Sequence, residues 1–175
     1  EKVQKYFGTL KIRKLQKRKP VKEPKPTKEN KYVEQRKIES SYMVLGYKTA
    51  PRFHKDSYAL DIIHGILGRG QSGWIFEEIR NKRGLAYQVG VQNELEDDFG
   101  TFAVFAALDK SNIQKAVKII LEQFRKLQNI GDDDLKEAKD YIEGNYTLNL
   151  EDNFVSADTK SYWELMGNVS LADTY

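Results

Sequence analysis

The chain has 175 residues, 39% hydrophobic and 11% aromatic, enough for one globular domain or for one domain plus a piece of a neighbour. It has no cysteine, which excludes disulfides, thiolate metal sites and a cysteine nucleophile, and no apolar run approaches the roughly 18 residues of a membrane-spanning helix. The net charge of +3 hides a split: residues 1–38 hold 14 of the 29 basic side chains but only 4 of the 26 acidic ones, so the remainder is acidic.

Residues 1–7, EKVQKYF, predict the last turns of a helix, closed by Gly8 at the position after its C-cap. The chain opens in mid-helix without an initiator methionine, which predicts a fragment or a processed product. Residues 9–31 predict a basic linker, with three of the four prolines between Pro20 and Asn30. A domain is expected over 32–175. Tyr32 to Ile38 alternates loosely and suits an edge strand, and Tyr42 to Tyr47, YMVLGY, reads as a central strand ended by Pro51. A helix capped by Asp56 or Ser57 follows, with Leu60, Ile63, Ile66 and Leu67 on one face. A glycine-rich turn, Gly68 to Gly73, leads into a short helix from Trp74, with Ile75, Phe76 and Ile79 as its other apolar residues.

That helix breaks at Gly84, and the chain resumes as a strand from Tyr87 to Leu95, joined by the acidic turn Glu96-Asp97-Asp98 to a strand from Gly100 to Leu108. In GTFAVFAAL, Phe102, Val104 and Ala106 fall on one face. Ser111 is read as the cap of a helix with the stripe Ile113, Val117, Ile120, Leu121, Phe124 and Leu127. Asp132-Asp133-Asp134 opens another helix, where carboxylates suit the positive dipole end; it runs through Leu135, Ala138, Tyr141 and Ile142. A last helix spans about Phe154 to Met166, and LADTY resolves into no element. This order predicts an α+β fold, an antiparallel sheet with helices packed on one face.

Few residues offer chemistry. Gly68 to Gly73 spells G-x-G-x-x-G, but it follows a helix rather than a strand and lacks the acidic partner of a dinucleotide site; it reads as a connector. His54 and His64 have no second histidine one helical turn away, so no metal site is expected on this chain. There is no G-x-S-x-G, and Glu77-Glu78 and Asp132 to Asp134 read as helix-surface and helix-start charges. Arg80 and Tyr87 remain, seven apart across a helix end, a tight turn and a strand start. An arginine forks onto a carbonyl or carboxylate, and a tyrosine hydroxyl donates to a developing oxyanion. The plainer reading pairs Arg80 with a neighbouring glutamate and packs Tyr87 on the sheet.

Three segments together, YMVLGYKTAP, DSYALDIIHGILGRGQSGWIFEEIRNKRGLAYQVG and GTFAVFAALDKSNIQKAVKIILEQFRKL, resemble the carboxy-terminal half of the insulinase/pitrilysin zinc peptidases, the inverzincins. Ile75 to Arg80 and Lys82 to Tyr87 carry the family string, and Lys5 to Gly8 looks like the KYFG that precedes the linker between halves. The resemblance implies the two-layer sandwich of a metallopeptidase half, as in mitochondrial processing peptidases, incomplete at both ends. It also implies that a homologous half, on the same chain or a partner subunit, binds zinc through H-x-x-E-H, a motif absent here. Arg80 would hold the peptide substrate's backbone and Tyr87 would contact the tetrahedral intermediate, in a cavity between the halves. Zinc would belong to the intact enzyme and none to this chain, which alone would be inactive.

Exposed apolar faces of an incomplete domain would favour a partner or a homodimer. The alternative from another class is a non-catalytic scaffold subunit related to the same peptidases. A nucleic-acid reading of Lys11 to Lys37 is set aside, since no aromatic pattern interleaves the lysines. The compartment, cytoplasm or periplasm, is left open.

Overall fold

The computed structural model describes residues 2–11, 19, 24 and 26–174. The chain divides into two compact units, Glu1–Val33 and Glu34–Tyr175. In the first, helix α1 (Lys2–Phe7) ends where the Gly8 N–H donates to the Gln4 carbonyl at 3.0 Å, the closure expected there. None of its residues is buried. Much of the basic linker expected over 9–31 lies outside the described residues.

The second unit holds strand β1 (Ser41–Thr49), helix α2 (Ser57–Gly68), the short helix α3 (Trp74–Phe76), strands β2 (Ala86–Leu95) and β3 (Gly100–Leu108), and helices α4 (Ile113–Lys126), α5 (Asp132–Leu150), α6 (Asn153–Leu165) and α7 (Leu171–Thr174). Helix α3 continues without a break as a π-helical turn, Glu77–Asn81. The sheet order is β1-β3-β2, all antiparallel. This is the α+β arrangement the sequence predicts, with the helices on one face.

Strand β3 is central, paired along its whole length with β1 on one side and β2 on the other. Its inner residues Phe102, Val104, Ala106 and Leu108 are buried with Leu67, Ile75, Ile79, Ala116, Ile119 and Ile120. Each large aliphatic side chain buried there contributes about 1.5–3 kcal/mol. The outer face stays open: Tyr42 and Val44 of β1 are 74% and 71% exposed, and Phe105 lies half-buried between β1 and β2. The β2–β3 hairpin closes with the Glu96 N–H on the Phe99 carbonyl at 2.9 Å, at the acidic turn. Helix α6 is capped by the Asp152 carboxylate, which accepts from the Phe154 and Val155 N–H groups.

Several expectations are corrected. Residues 32–38 form no strand; Tyr32, Val33 and Ile38 are exposed, since alternation alone supplies no pairing partner. Strand β1 lies at an edge of this three-stranded sheet, not at its centre. In α4 the expected Ile120 is in the core and Ile113, Phe124 and Leu127 pack against it, but Ala116, Ile119 and Gln123 are buried in place of Val117 and Leu121, which are only half-buried. A one-turn 3₁₀ segment, Lys110–Asn112, precedes that helix. Tyr141 of α5 is exposed, and the terminal LADT forms helix α7. At the start of α2, the Asp56 side chain makes no capping bond; Ser57 is buried with its hydroxyl unpartnered.

Candidate functional site

The site is a corner between one helix and one strand. Ile75 and Ile79, one turn apart, are fully buried and seat the α3–π helix in the core. At its start the Trp74 indole N–H donates to Asp134 of α5 at 3.0 Å. At its end the Lys82 N–H reaches back five residues to the Glu77 carbonyl, the π pattern, which admits one extra residue into the turn. Gly84, at φ +57°, reverses the chain in a conformation that favours glycine. The Gly84 N–H then donates to the Arg80 carbonyl and the Leu85 N–H to that of Ile79, both at 2.9 Å. Each bond is one residue longer than in a Schellman cap, matching the residue the π turn adds.

The polar side chains around this turn find partners that leave Arg80 out. Lys82 donates to Glu78 at 2.9 Å, Arg83 bonds both the Glu78 carboxylate and its carbonyl, and Asn81 donates to Glu77 at 2.7 Å. The Lys82 ammonium holds the Glu78 carboxyl below its ordinary value, with Arg83 adding to the effect and partial burial opposing it. Arg80 is exposed, with its guanidinium carbon 5.2 Å from the centre of the Phe76 ring. Among the described residues it has no ion pair, so the plainer reading of Arg80 as the partner of a neighbouring glutamate does not hold.

Tyr87 is placed by an irregularity in β2. Ala86 pairs with Leu108 and Gln88 with Ala107, so Tyr87 is the additional residue of a β-bulge. It is 63% exposed, and no hydrogen bond reaches its hydroxyl among the described residues. Arg80 and Tyr87 are thus both presented to solvent on ordered backbone, one from the last turn of the helix and the other from the first residues of the strand.

Other candidates prove structural. His64 Nε2 lies 3.2 Å from the Val91 carbonyl, and its ring packs edge-on to Phe102. His54 Nδ1 accepts from the Asp56 N–H at 3.2 Å, at the exposed start of α2. Among the described residues no three His, Cys, Asp or Glu side chains gather to hold a metal, so this part of the chain does not fit a zinc ion. The glycine-rich turn packs tightly at its start, where a Cβ at Gly68 would lie 2.7 Å from Val91, and is open at Gly70. Among the described residues no helix is long and apolar enough to cross a membrane.

Sequence reading missed a polar cluster at the other end of the sheet. Arg52 donates to Asp61 at 2.9 Å and to the Tyr162 hydroxyl at 3.3 Å, Asn93 donates to Asp61 at 2.8 Å, and Tyr162 donates to the Leu95 carbonyl at 3.2 Å. Arg52 also lies over the Trp163 ring. These partners are up to 110 residues apart in sequence, and no local pattern marks them.

Comparison with known proteins places this architecture. The family described as "Peptidase M16 inactive domain" matches residues 1–142. The chain belongs to this family, the insulinase/pitrilysin-type peptidases that its motif string resembles, as their non-zinc-binding domain. It is 32% identical over 119 residues to an uncharacterized zinc protease of Streptomyces coelicolor, a match covering 67% of this chain and 26% of that protein. Among solved structures it is similar to a protease from Helicobacter pylori, at 26% identity and a TM-score of 0.68, covering 78% of this chain and 33% of that one. A peptidase M16 inactive domain from Pseudomonas fluorescens is similar at 25% identity and a TM-score of 0.55, over 62% and 27% of the two chains. The chain spans about a quarter of the length of the curated relatives it matches.

Proposed function

We propose that this domain is the substrate-holding half of a zinc endopeptidase that cleaves peptides or unfolded polypeptides. The zinc, and the water it activates, belong to a homologous half on the same polypeptide or on a partner subunit, and the peptide lies in the cavity between them. Residues 1–8 would then end the preceding half, 9–31 would link, and 32–175 would carry the substrate contacts. The chain's division between Val33 and Glu34 supports that organisation.

One observation carries the reading: Glu78 is taken by Lys82 and Arg83, and among the described residues Arg80 has no carboxylate partner and the Tyr87 hydroxyl, just past the turn, has no hydrogen bond. A side chain serving only stability gains by satisfying its polar atoms; one that serves a ligand leaves them for it. Arg80 donates to the carbonyls of an extended peptide and fixes it in place. Tyr87 donates to the oxygen that gains charge when water adds to the scissile carbonyl, an interaction stronger in the transition state than in the ground state.

The test uses the full-length protein loaded with zinc and a fluorogenic peptide. Tyr87→Phe should lower kcat by about 10²–10³-fold, the loss typical of one oxyanion donor. Arg80→Ala should act mainly through KM, as removal of uniform binding does. Rates unchanged by both substitutions would overturn the reading.

A further inference from the structure

The helix that ends in Arg80 is tied to α5 at its other end, and those ties do more than add to the core. Ile75 and Ile79 bury one stripe of an eight-residue helix, and the hydrophobic effect that holds them there is non-directional. Hydrogen bonds to fixed acceptors supply the missing direction. The Trp74 indole meets the half-buried Asp134 carboxylate, at 3.0 Å. One turn further along α5, Glu137 accepts from Arg69 at 2.5 Å.

Arg69 is the joint. Its carbonyl accepts from the N–H groups of Ser72 and Gly73, at 3.2 and 3.0 Å, and from the Ser72 hydroxyl at 3.2 Å. The Gly73 carbonyl in turn accepts from Glu77 in the first turn of the helix. The Arg69 side chain is only 9% exposed, and its Nη1 is buried without a partner. A guanidinium so placed costs stability on its own account. The fold carries this cost at the turn that launches the helix bearing Arg80.

We propose that Asp134 and Glu137 are positioning residues for substrate binding: through Trp74 and Arg69 they set the register and tilt of the helix that presents Arg80. The proposal rests on the reading of Arg80 as a substrate contact. At Asp134 the acceptor oxygen is required and the charge is dispensable, because the indole donor is neutral; at Glu137 the charge is required as well, because it compensates the nearly buried Arg69 guanidinium.

A double-mutant cycle in the zinc-loaded full-length protein, with a fluorogenic peptide, tests this. Asp134→Ala combined with Glu137→Ala should raise KM about fivefold with kcat within about twofold. Asp134→Asn with Glu137 intact should keep KM near the wild-type value, whereas Asp134→Ala should raise it. In an Arg80→Ala background the alanine pair should add nothing further, because the contact it positions is already gone. Equal effects with and without Arg80 would overturn the positioning role alone; an Arg80→Ala enzyme of unchanged KM would overturn the parent reading and this one with it. A second measurement needs no turnover: amide exchange over residues 74–84 should accelerate about tenfold in the alanine pair. Unaltered exchange would also overturn the proposal.

Discussion

Each end of the sheet presents an arginine and a tyrosine, and the two pairs are used in opposite ways. At the end where Thr49, Gly100 and Leu95 meet, Arg52 and Tyr162 spend their polar atoms on Asp61, the Leu95 carbonyl and each other, and so join α2, the sheet and α6. At the end where Ser41, Leu108 and Ala86 meet, Arg80 has only the Phe76 ring, and the Tyr87 hydroxyl has no partner among the described residues. Residue type does not separate the two pairs; the state of their hydrogen-bonding groups does. One pair is a clasp that holds the fold closed, and the other is a reserve of donors held open by the fold.

The contrast can be broken by exchanging the consequences of mutation. The largest expected effect is at the open end, where Tyr87→Phe costs the full-length enzyme about 10²–10³-fold in kcat while its thermal unfolding is unchanged, because the hydroxyl makes no internal bond. A shifted melting temperature would place Tyr87 with the clasp. Next comes Arg52→Ala, which leaves the part-buried Asp61 short of a charged donor and should destabilise the domain by about 2–3 kcal/mol in urea titrations. Its KM should be unaltered once the protein is folded.

A smaller effect sharpens the comparison at the turn. Gly84→Ala, forced to φ +57°, should cost about 1–2 kcal/mol and weaken peptide binding as well, since the reversal it strains links Arg80 to Tyr87. Gly144→Ala, inside α5 with open space around an added Cβ, should instead stabilise the domain by about 0.5–1 kcal/mol in the same unfolding assay. The smallest effect concerns pH. Glu78 is held below its ordinary value of 4.5 in the folded state, so the stability it confers is present above that pH and is lost as pH falls through its lowered value. Thermal unfolding of the wild type should therefore exceed that of Glu78→Gln at pH 7, with the difference shrinking below pH 4.5.

Much of the fold is legible because it repeats a local rule. The alternation of Phe102, Val104 and Ala106 and the stripe of Leu60, Ile63, Ile66 and Leu67 each point to one buried face, and those faces meet in the core. Tyr32 to Ile38 obeys the same rule and forms no strand, because a strand needs a neighbour to receive its hydrogen bonds, and alternation does not supply one. Arg80 and Tyr87 are legible as a motif, seven residues apart. Their availability is not, since it depends on Glu78 binding Lys82 and Arg83 instead of Arg80 and on a bulge that removes Tyr87 from regular pairing. Asp134 and Glu137 left no signal at all: as helix-start and helix-surface acids they match many others, and only the approach of Trp74 and Arg69 distinguishes them.

By itself, then, the sequence determined most of the element types, the helix-covered antiparallel sheet and the family string from Ile75 to Tyr87, because each rests on spacing within a few turns or residues of chain. Only the tertiary structure decided which strand is central, which arginine is spent and which is free, and where the helix carrying Arg80 is anchored. Those outcomes depend on groups far apart in sequence competing for the same acceptors, and that competition is resolved by three-dimensional proximity.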